Sequence, residues 1–170
     1  RLGADAVSMG CIVGGPEQPE QLRQLGLMAK QAASLGMPLV AHIYPRGSFI
    51  EKKDQYDWKN VAYAVRAGAE LGVDIMKTNY TGSPETFRKV VEACPARVVV
   101  AGGEIGSKIE DYLKMTRDII DAGGAGVAYG RFVWEYRHVP ELIRVLKFII
   151  HENGTFKEAV DLLKDLANVK

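Results

Sequence analysis

The segment that best separates the possible architectures of this chain is Leu39-Val40-Ala41-His42-Ile43-Tyr44-Pro45-Arg46-Gly47. Successive residues of a β-strand point to opposite faces of its sheet. One face of this segment is apolar and consists of Leu39, Ala41 and Ile43. The other face is partly polar and consists of Val40, His42 and Tyr44. Such a strand suits the wall of a barrel with a reactive mouth, because a sheet covered by helices on both faces favours apolar residues throughout.

Similar apolar segments recur along the chain, and helical segments separate them. Five segments are predicted as strands: 4–9, 39–44, 75–79, 98–102 and 126–130. Helices are predicted near 17–35, 57–71, 84–93, 107–122, 139–152 and 156–168. This alternation predicts an α/β fold with a parallel sheet. An open doubly wound sheet and a (β/α)8 TIM barrel both satisfy it, and the faces of 39–44 favour the barrel.

Several sequence signals mark the ends of these helices. Starts are indicated by Ser83-Pro84 and by the capping-box pairs Ser107/Glu110 and Thr155/Glu158. Ends are indicated by Gly36, Gly72 and Gly123, each of which follows a helical segment and precedes a strand. The opening residues Leu2-Gly3-Ala4-Asp5 have the same form, as if they followed the tail of an earlier helix.

The length of the chain bears on the barrel hypothesis. A complete barrel has eight strands and about 250 residues, whereas this chain has 170 residues. We therefore interpret 1–170 as one partial TIM-barrel domain, the C-terminal five βα units of a barrel whose N-terminal three units are absent. The alternative is a complete five-stranded domain.

Composition excludes several classes of partner. The 22 basic and 21 acidic residues give a formal net charge of +1, and no basic stripe interleaved with aromatic residues indicates nucleic-acid binding. Apolar runs are too short for a membrane span, and no signal segment opens the chain. Cys11 and Cys94 do not form a metal-binding pattern. We expect a cytoplasmic protein with two buried, reduced thiols and no metal or organic cofactor.

Lys77 is the first candidate for chemistry. It lies in the apolar strand segment Val73-Asp74-Ile75-Met76-Lys77-Thr78-Asn79-Tyr80, and alternation places it on one face with Ile75 and Asn79. Desolvation disfavours the charged form of an amine, which is how a lysine becomes a nucleophile for carbonyl carbons. The structural alternative is a strand-end lysine whose stem extends to water.

Two glycine-rich turns follow the last two predicted strands. The first contains Gly102 and Gly103, and the second contains Gly130-Arg131. Glycine lets backbone N–H groups approach an anion, and the phosphate site of (β/α)8 enzymes commonly lies after the last two strands. Arg131 adds a guanidinium fork suited to phosphate. The pair of turns therefore predicts a phosphate site.

The segment Tyr44-Pro45-Arg46-Gly47 contributes two further candidates. Pro45 and Gly47 are explained by the end of a strand and a sharp loop. Tyr44 and Arg46 are expected at the mouth, where the phenol could transfer protons beside a Schiff-base lysine. We expect cations such as Lys77 or Arg46 to lower the pKa of Tyr44 from its ordinary value near 10.

In their order and spacing these motifs resemble the archaeal-type class I fructose-bisphosphate aldolases and their 2-amino-3,7-dideoxy-heptulosonate synthase relatives. The resemblance covers the whole chain and rests on Tyr44-Pro45-Arg46-Gly47, on 76–82, on Ala101-Gly102-Gly103 and on Gly130-Arg131. It implies that Lys77 forms the Schiff base and that Tyr44 is the acid–base. It also implies that Gly102, Gly103, Gly130 and Arg131 hold substrate phosphate.

The chain departs from the family pattern in three respects. It lacks the first-strand aspartate in its Asp-His-Gly setting. His42 stands where relatives often have a larger apolar or aromatic residue, and we expect it, with Arg46, to contact substrate. Tyr129 and Phe132 flank Gly130-Arg131, where either is expected to narrow the phosphate site. The two other histidines, His138 and His151, are expected to have no catalytic role.

The leading functional hypothesis is a class I aldolase, a lyase of carbohydrate metabolism and glycolysis. Its substrate would be a phosphorylated ketose such as fructose 1,6-bisphosphate. The alternatives are an aldol transferase of the heptulosonate-synthase type, for which His42 is the discriminating residue, and a non-catalytic fragment that binds phosphorylated ligands. Exposed strand edges at 4–9 and 126–130 would favour association, and the resemblance implies a homo-oligomer.

Overall fold

The computed structural model describes residues 2–102 and 108–168 of the chain. Its centre is a five-stranded, fully parallel sheet. The strands are β1 (Val7–Val13), β2 (Leu39–Pro45), β3 (Ile75–Thr78), β4 (Arg97–Ala101) and β5 (Gly126–Ala128). The α/β class with a parallel sheet is therefore as predicted.

Helices follow each strand and then close the chain. They are α1 (Gln18–Ser34), α2 (Trp58–Glu70), α3 (Pro84–Ala93), α4 (Ile109–Asp121), α5 (Arg131–Trp134), α6 (Val139–His151) and α7 (Phe156–Asn168). A 3-10 helix, Lys52–Tyr56, lies in the long β2–α2 connection. None of the helices in the described ranges is both long and apolar enough to cross a membrane.

The order of the strands separates the two predicted architectures. Each strand pairs with the next strand in sequence, in the order β1-β2-β3-β4-β5. A doubly wound sheet reverses its strand order at a switch point, and the described strands contain no such reversal. The sheet is therefore singly wound, as the walls of (β/α)8 barrels are.

The two faces of the sheet differ as β2 predicts. Leu39, Ala41 and Ile43 are fully or almost fully buried, together with Met76 of β3 and Val100 of β4. These side chains form one core with α1, α2, α3 and α4. The alternate residues of β2 are only half-buried. One face of the sheet is therefore packed under helices and the other is open.

A second apolar cluster lies beyond the sheet. It contains Leu113 of α4, four residues of α6 and Ala159 and Leu163 of α7. Arg117 of α4 joins the same layer: its guanidinium donates to Asn153 Oδ1 (3.0 Å) and to the Gly154 carbonyl (3.2 Å). The two C-terminal helices are therefore held against α4 by apolar packing and by one polar clamp.

Most of the predicted helix ends are confirmed. Ser83 caps α3 by accepting from the Thr86 N–H, and Thr155 and Glu158 form the reciprocal capping box of α7. Gly36, Gly72 and Gly123 have φ of 63°, 90° and 89°, the left-handed conformation that closes a helix. The third cap differs. Ser107 lies outside the described residues, and Lys108, which makes no side-chain cap, precedes α4 at Ile109.

The first strand was misplaced and one short helix was missed. The first strand was placed at 4–9, but β1 runs from Val7 to Val13 through Gly10. Gly10 continues the strand because its backbone pairs with His42 of β2 and its position on the open face needs no side chain. The short helix α5 was missed, since four residues are too few to show a helical period.

The free edge of β1 is partly protected by α1. The Ile12 N–H donates to Gln21 Oε1 (2.6 Å), and the Gly14 N–H donates to Gln18 Oε1 (2.7 Å). Glutamine side chains therefore occupy the carboxyl end of this edge. Unpaired backbone groups at the edge of a sheet are the usual site of strand addition, so the edge predicted to be open is open only toward its amino end.

Candidate active site

A row of residues crosses the open face of the sheet. Strand register pairs Gly10 with His42, His42 with Lys77, and Lys77 with Val99. Register partners on neighbouring parallel strands point to the same face and are about 4.8 Å apart. Lys77 therefore lies beside His42 in the middle of the sheet. Gly10, at the β1 end of the row, has no side chain.

The Lys77 amine lies on the open face of the sheet. It is half-buried, and its neighbours Met76 and Thr78 are completely buried on the helix side. Within the described part of the chain it takes part in none of the ion pairs. An amine that is partly removed from water and has no carboxylate partner is suited to nucleophilic attack.

His42 is electrostatically coupled to this amine. It is half-buried, and its pKa is lowered from the ordinary value of 6.5, first by burial and then by the charge of Lys77. A lowered pKa keeps the imidazole neutral at pH 7. Its other register neighbour is Gly10, and a Cβ built there would meet no atom within 4 Å. Open space therefore adjoins the imidazole on the β1 side.

Tyr44 and Arg46 form a stacked pair one layer closer to the carboxyl ends of the strands. The Arg46 guanidinium lies 4.7 Å from the centroid of the Tyr44 ring. Strand spacing and rise put Tyr44 about 8 Å from Lys77, measured between Cα atoms. The expected direction of its pKa was wrong: burial raises the pKa of Tyr44, and Arg46 only partly opposes this effect. The phenol is therefore protonated at neutral pH.

The loop after β2 is locked against the loop after β1. The N–H groups of Arg46 and Gly47 both donate to the Val13 carbonyl (3.1 and 3.0 Å), and the Phe49 N–H donates to the Gly14 carbonyl (2.8 Å). A Cβ on Gly47 would lie 2.0 Å from the carbonyl carbon of Gly14. Glycine is required there by close backbone approach, and this approach positions Arg46.

Asn79 lies near the row and has a structural role that the sequence did not reveal. It is 2% exposed, and its side-chain amide donates to the Gln55 carbonyl in the 3-10 helix (3.1 Å). Asn79 thereby ties the β2–α2 connection over the end of β3. Alternation indicated that Asn79 shares a face with Lys77, but the partner 24 residues away is a tertiary contact without a local signal.

The two glycine-rich turns lie side by side. Ala101 of β4 pairs with Ala128 of β5, and a Cβ on Gly102 would lie 3.4 Å from the Tyr129 ring. Gly130 precedes α5, and Arg131, its first residue, is exposed. Gly103 lies outside the described residues. The structure thus brings Gly102 close to the β5 turn, after which Arg131 begins α5.

Two aromatic residues that flank Gly130-Arg131 pack toward α4, and the expectation that either narrows the phosphate site stays a prediction. Tyr129 packs toward α4, where its hydroxyl is 3.0 Å from that of Thr116, and burial raises its pKa. Phe132 stacks on Tyr112 with ring centroids 3.7 Å apart. Both rings pack against the apolar residues of the sheet core and of the C-terminal cluster.

The remaining candidates lie away from the row. His138 precedes α6 and His151 is its last, exposed residue. Cys11 and Cys94 are buried free thiols, and burial raises the pKa of each. In the ranges 2–102 and 108–168, His, Cys, Asp and Glu side chains form no group of three able to hold a metal ion.

Comparison with known proteins gives the family of the chain. The profile described as "DeoC/LacD family aldolase" matches residues 1–136. The chain belongs to this aldolase family. The row of His42 and Lys77, the Tyr44–Arg46 pair and Gly130 all fall within the matched residues.

Two archaeal sequences are similar to this family member over nearly its whole length. A 2-amino-3,7-dideoxy-D-threo-hept-6-ulosonate synthase of Halobacterium salinarum is 38% identical over 154 residues, covering 91% of the chain and 57% of the relative. A synthase of the same name from Archaeoglobus fulgidus is 39% identical and is covered to 58%. The chain thus spans less than two thirds of these relatives.

Solved structures of aldolases have the same fold. A Schiff-base-forming fructose-1,6-bisphosphate aldolase aligns with a TM-score of 0.82 at 33% identity, covering 88% of this chain and 60% of that one. An archaeal fructose 1,6-bisphosphate aldolase aligns with the same TM-score at 34% identity. A fructose-bisphosphate aldolase from Slackia heliotrinireducens, at 22% identity and a TM-score of 0.85, supports the fold alone.

Proposed function

We propose that the protein containing this chain is a class I aldolase in which Lys77 forms a Schiff base with a phosphorylated ketose such as fructose 1,6-bisphosphate. The observation that supports this most is the place of Lys77: half-buried, on the open face of β3, in register with a neutral histidine. The family membership and the similarity to a Schiff-base-forming aldolase agree with it.

The covalent step follows from the position of the amine. Lys77 Nζ attacks the ketose carbonyl carbon, and loss of water leaves a protonated iminium. The bond between the α- and β-carbons of the iminium then breaks. Its electron pair moves into the iminium to give an enamine, and the β-carbon leaves as an aldehyde when its hydroxyl loses a proton. The enamine that remains is protonated at carbon, and water releases the ketone product from the amine.

Tyr44 is placed to serve the second carbonyl. Because its pKa is raised by burial, the phenol begins protonated, which suits the condensation direction. As the enamine carbon attacks the aldehyde carbon, Tyr44 donates its proton to the aldehyde oxygen. In the cleavage direction the tyrosinate takes the same proton back from the hydroxyl. Arg46, stacked on the ring, stabilises the tyrosinate.

The phosphate is assigned to the end of β4 and β5. Gly102 lies about 11 Å from Lys77 by strand spacing and rise, and Gly130-Arg131 lies one strand further. Backbone N–H groups and the exposed Arg131 guanidinium bind the phosphate, and Gly103 is assigned to the same site by resemblance alone. Arg46 contacts the rest of the substrate, and His42 contacts the part that leaves as the aldehyde, in the acceptor pocket.

We also propose that the five strands form part of a (β/α)8 barrel. The consecutive strand order, the open polar face and the coverage of 57–60% of the relatives support this. The open face of the sheet then lines the barrel interior, where Lys77 and His42 are shielded from water by the remaining strands. We further propose that the enzyme acts in carbohydrate metabolism in the cytoplasm.

The aldolase proposal is tested by removing the amine. Lys77→Met in the complete protein abolishes cleavage of fructose 1,6-bisphosphate, because no other group in the row forms an iminium, while circular dichroism stays native since Met preserves the volume of the lysine stem. Lys30→Met, on the exposed side of α1, is the matched control and keeps full activity. Activity in the Lys77→Met protein would contradict the proposal.

The second candidate is the heptulosonate-synthase type of aldol transfer. The observation that favours it is the 38–39% identity to synthases of that name, against 33–34% for the fructose-bisphosphate aldolase structures. Both reactions use the same Lys77 iminium and differ in the acceptor. Product analysis separates them: fast cleavage of fructose 1,6-bisphosphate alone identifies the aldolase, and turnover only with an added amino-aldehyde such as aspartate semialdehyde identifies the transferase.

A further inference from the structure

The immediate neighbour of the reactive amine is an imidazole. His42 and Lys77 are register partners on adjacent parallel strands, so their side chains leave the same face about 4.8 Å apart at the Cα atoms. Tyr44, by contrast, lies one layer further toward the carboxyl ends of the strands. The group best placed to exchange protons with the Lys77 nitrogen is therefore His42.

We propose that His42 is a general acid–base catalyst of iminium formation at Lys77, a role separate from the proton transfer assigned to Tyr44. The inference rests on the proposed Schiff-base function and adds a second catalytic residue to it. Three features support it: the register pairing, the half-buried position of both side chains, and the space left by Gly10 beside the imidazole.

The proton balance of the step is complete with these two residues. Neutral His42 takes one proton from the Lys77 ammonium and frees its lone pair. Nζ attacks the carbonyl carbon, the C–N bond forms, and a second proton moves from nitrogen to the new alkoxide to give the carbinolamine. The imidazolium then returns its proton to the carbinolamine hydroxyl, the C–O bond breaks, and water leaves. His42 ends neutral, and the single positive charge has moved from ammonium to iminium.

The electrostatic surroundings of His42 suit this cycle. Within the described residues, the ionisable groups closest to His42 on this face are Lys77 on β3, Tyr44 on its own strand and Arg46 just after it. Arg97 of β4 lies two strands away beside Ile75, and the facing residues of β1 are Ser8, Gly10 and Ile12. Burial and Lys77 both favour the neutral imidazole. The nitrogen of a carbinolamine is uncharged, so it no longer disfavours the protonated form of His42.

The test measures iminium formation directly in the complete protein. Wild type and His42→Gln are mixed with dihydroxyacetone phosphate, quenched with borohydride at set times, and assayed for reduced adduct by mass. Glutamine keeps a polar side chain but transfers no proton at neutral pH. The rate of adduct formation is expected to fall about 10²-fold or more, while the Kd for dihydroxyacetone phosphate changes by less than about threefold.

Two further readouts distinguish catalysis from a structural role. In wild type the adduct rate falls as pH decreases through the pKa of His42, below 6.5, and this acid limb is absent in His42→Gln. In His42→Gly, free imidazole enters the space beside Gly10 and restores the rate in proportion to its concentration.

The possible outcomes separate the two proposals. An adduct that forms at the wild-type rate in His42→Gln overturns the role of His42 and leaves Lys77 in place. Loss of binding in His42→Gln without rescue of His42→Gly by imidazole also overturns it, since His42 then acts through substrate contact. Absence of any adduct in wild type overturns the Schiff-base function, and with it the role of His42.

Discussion

At the scale of single residues, the proposed chemistry depends on two side chains that share one face of the sheet. Alternation along β2 and β3 was enough to place His42 and Lys77 toward the same interior, and the register confirms that they are direct neighbours. The sequence did not show which way Tyr129 and Phe132 turn. That direction depends on Thr116 and Tyr112 of α4, and local patterns do not describe such contacts.

The coupling of the two residues predicts a titration shift. Lys77→Met removes the charge that opposes protonation of His42, so the pKa of His42 rises toward 6.5 but stays below it because burial remains. The Cε1 proton resonance of His42, followed by NMR against pH, measures this. Lys59→Met, on the far side of the sheet in α2, is the control and leaves the titration unchanged. An unchanged pKa in Lys77→Met would show that the side chains do not face each other.

The same shift predicts how stability responds to acid. The folded-state pKa of His42 lies below the unfolded value of 6.5, so the unfolded chain binds more protons between these two pH values. The free energy of unfolding therefore decreases as pH falls from 6.5 through the folded-state pKa, and becomes constant below it. Urea titrations at several pH values give this slope, and His42→Gln is expected to reduce it. An equal slope in both proteins would assign the effect to other groups.

At the scale of secondary-structure elements, the sequence predicted the order of helices and strands but not the contacts between distant residues. Apolar alternation, capping residues and glycines located nearly every element, and the errors fell at β1, α4 and α5. In contrast, the seating of Gly47 on Gly14 and the bond from Asn79 to the Gln55 carbonyl join distant residues. Such contacts follow from how the elements pack and have no periodic signature in the sequence.

Gly47 is predicted to be the least replaceable glycine of the β2 loop. A Cβ at this position would collide with backbone atoms of Gly14 and Gly15, and backbone cannot move aside as a side-chain end can. Gly47→Ala is expected to lower the free energy of unfolding by about 1–3 kcal/mol, measured by urea denaturation. Gly26→Ala in α1 is the matched control. Its Cβ would lie 3.3 Å from the Cδ2 end of the Leu71 side chain, which can shift as backbone cannot, and alanine favours helices, so the variant is expected to be close to neutral. Equal stability of both variants would contradict the loop geometry.

Arg117 is predicted to hold the C-terminal helices on α4. Its side chain is 12% exposed and pairs with Asp121 as well as with Asn153 and Gly154. Arg117→Met leaves the buried Gly154 carbonyl without this donor, at a cost of about 1–3 kcal/mol. Arg23→Met removes an exposed pair with Glu20 and is expected to cost less than about 1 kcal/mol. Thermal denaturation measures the loss of stability in each variant. Similar losses in the two variants would contradict a larger contribution of Arg117.

At the scale of the whole molecule, the described helices cover only one face of the sheet. The residues of the open face include the reactive row, and β1 and β5 are the edge strands of the sheet. Gln18 and Gln21 protect only the carboxyl end of the β1 edge. The remaining edge and face favour association with further strands, whether from the same polypeptide or from another copy.

This predicts the behaviour of residues 1–170 expressed alone. The isolated chain is expected to self-associate or to unfold without cooperativity, and to cleave fructose 1,6-bisphosphate poorly or not at all while still binding phosphate. Sedimentation velocity and urea unfolding measure the first property, and calorimetry beside a cleavage assay measures the second. A cooperatively folded monomer of 18.7 kDa with full aldolase activity would contradict the partial-barrel proposal.

The proposed covalent role of Lys77 is tested most directly by trapping the Schiff base. The complete protein is incubated with dihydroxyacetone phosphate, reduced with sodium borohydride, digested and mapped by tandem mass spectrometry. We expect one reduced adduct, on the lysine between Met76 and Thr78, and the loss of this adduct in Lys77→Met. An unmodified Lys77, or an adduct on any other lysine, would contradict it.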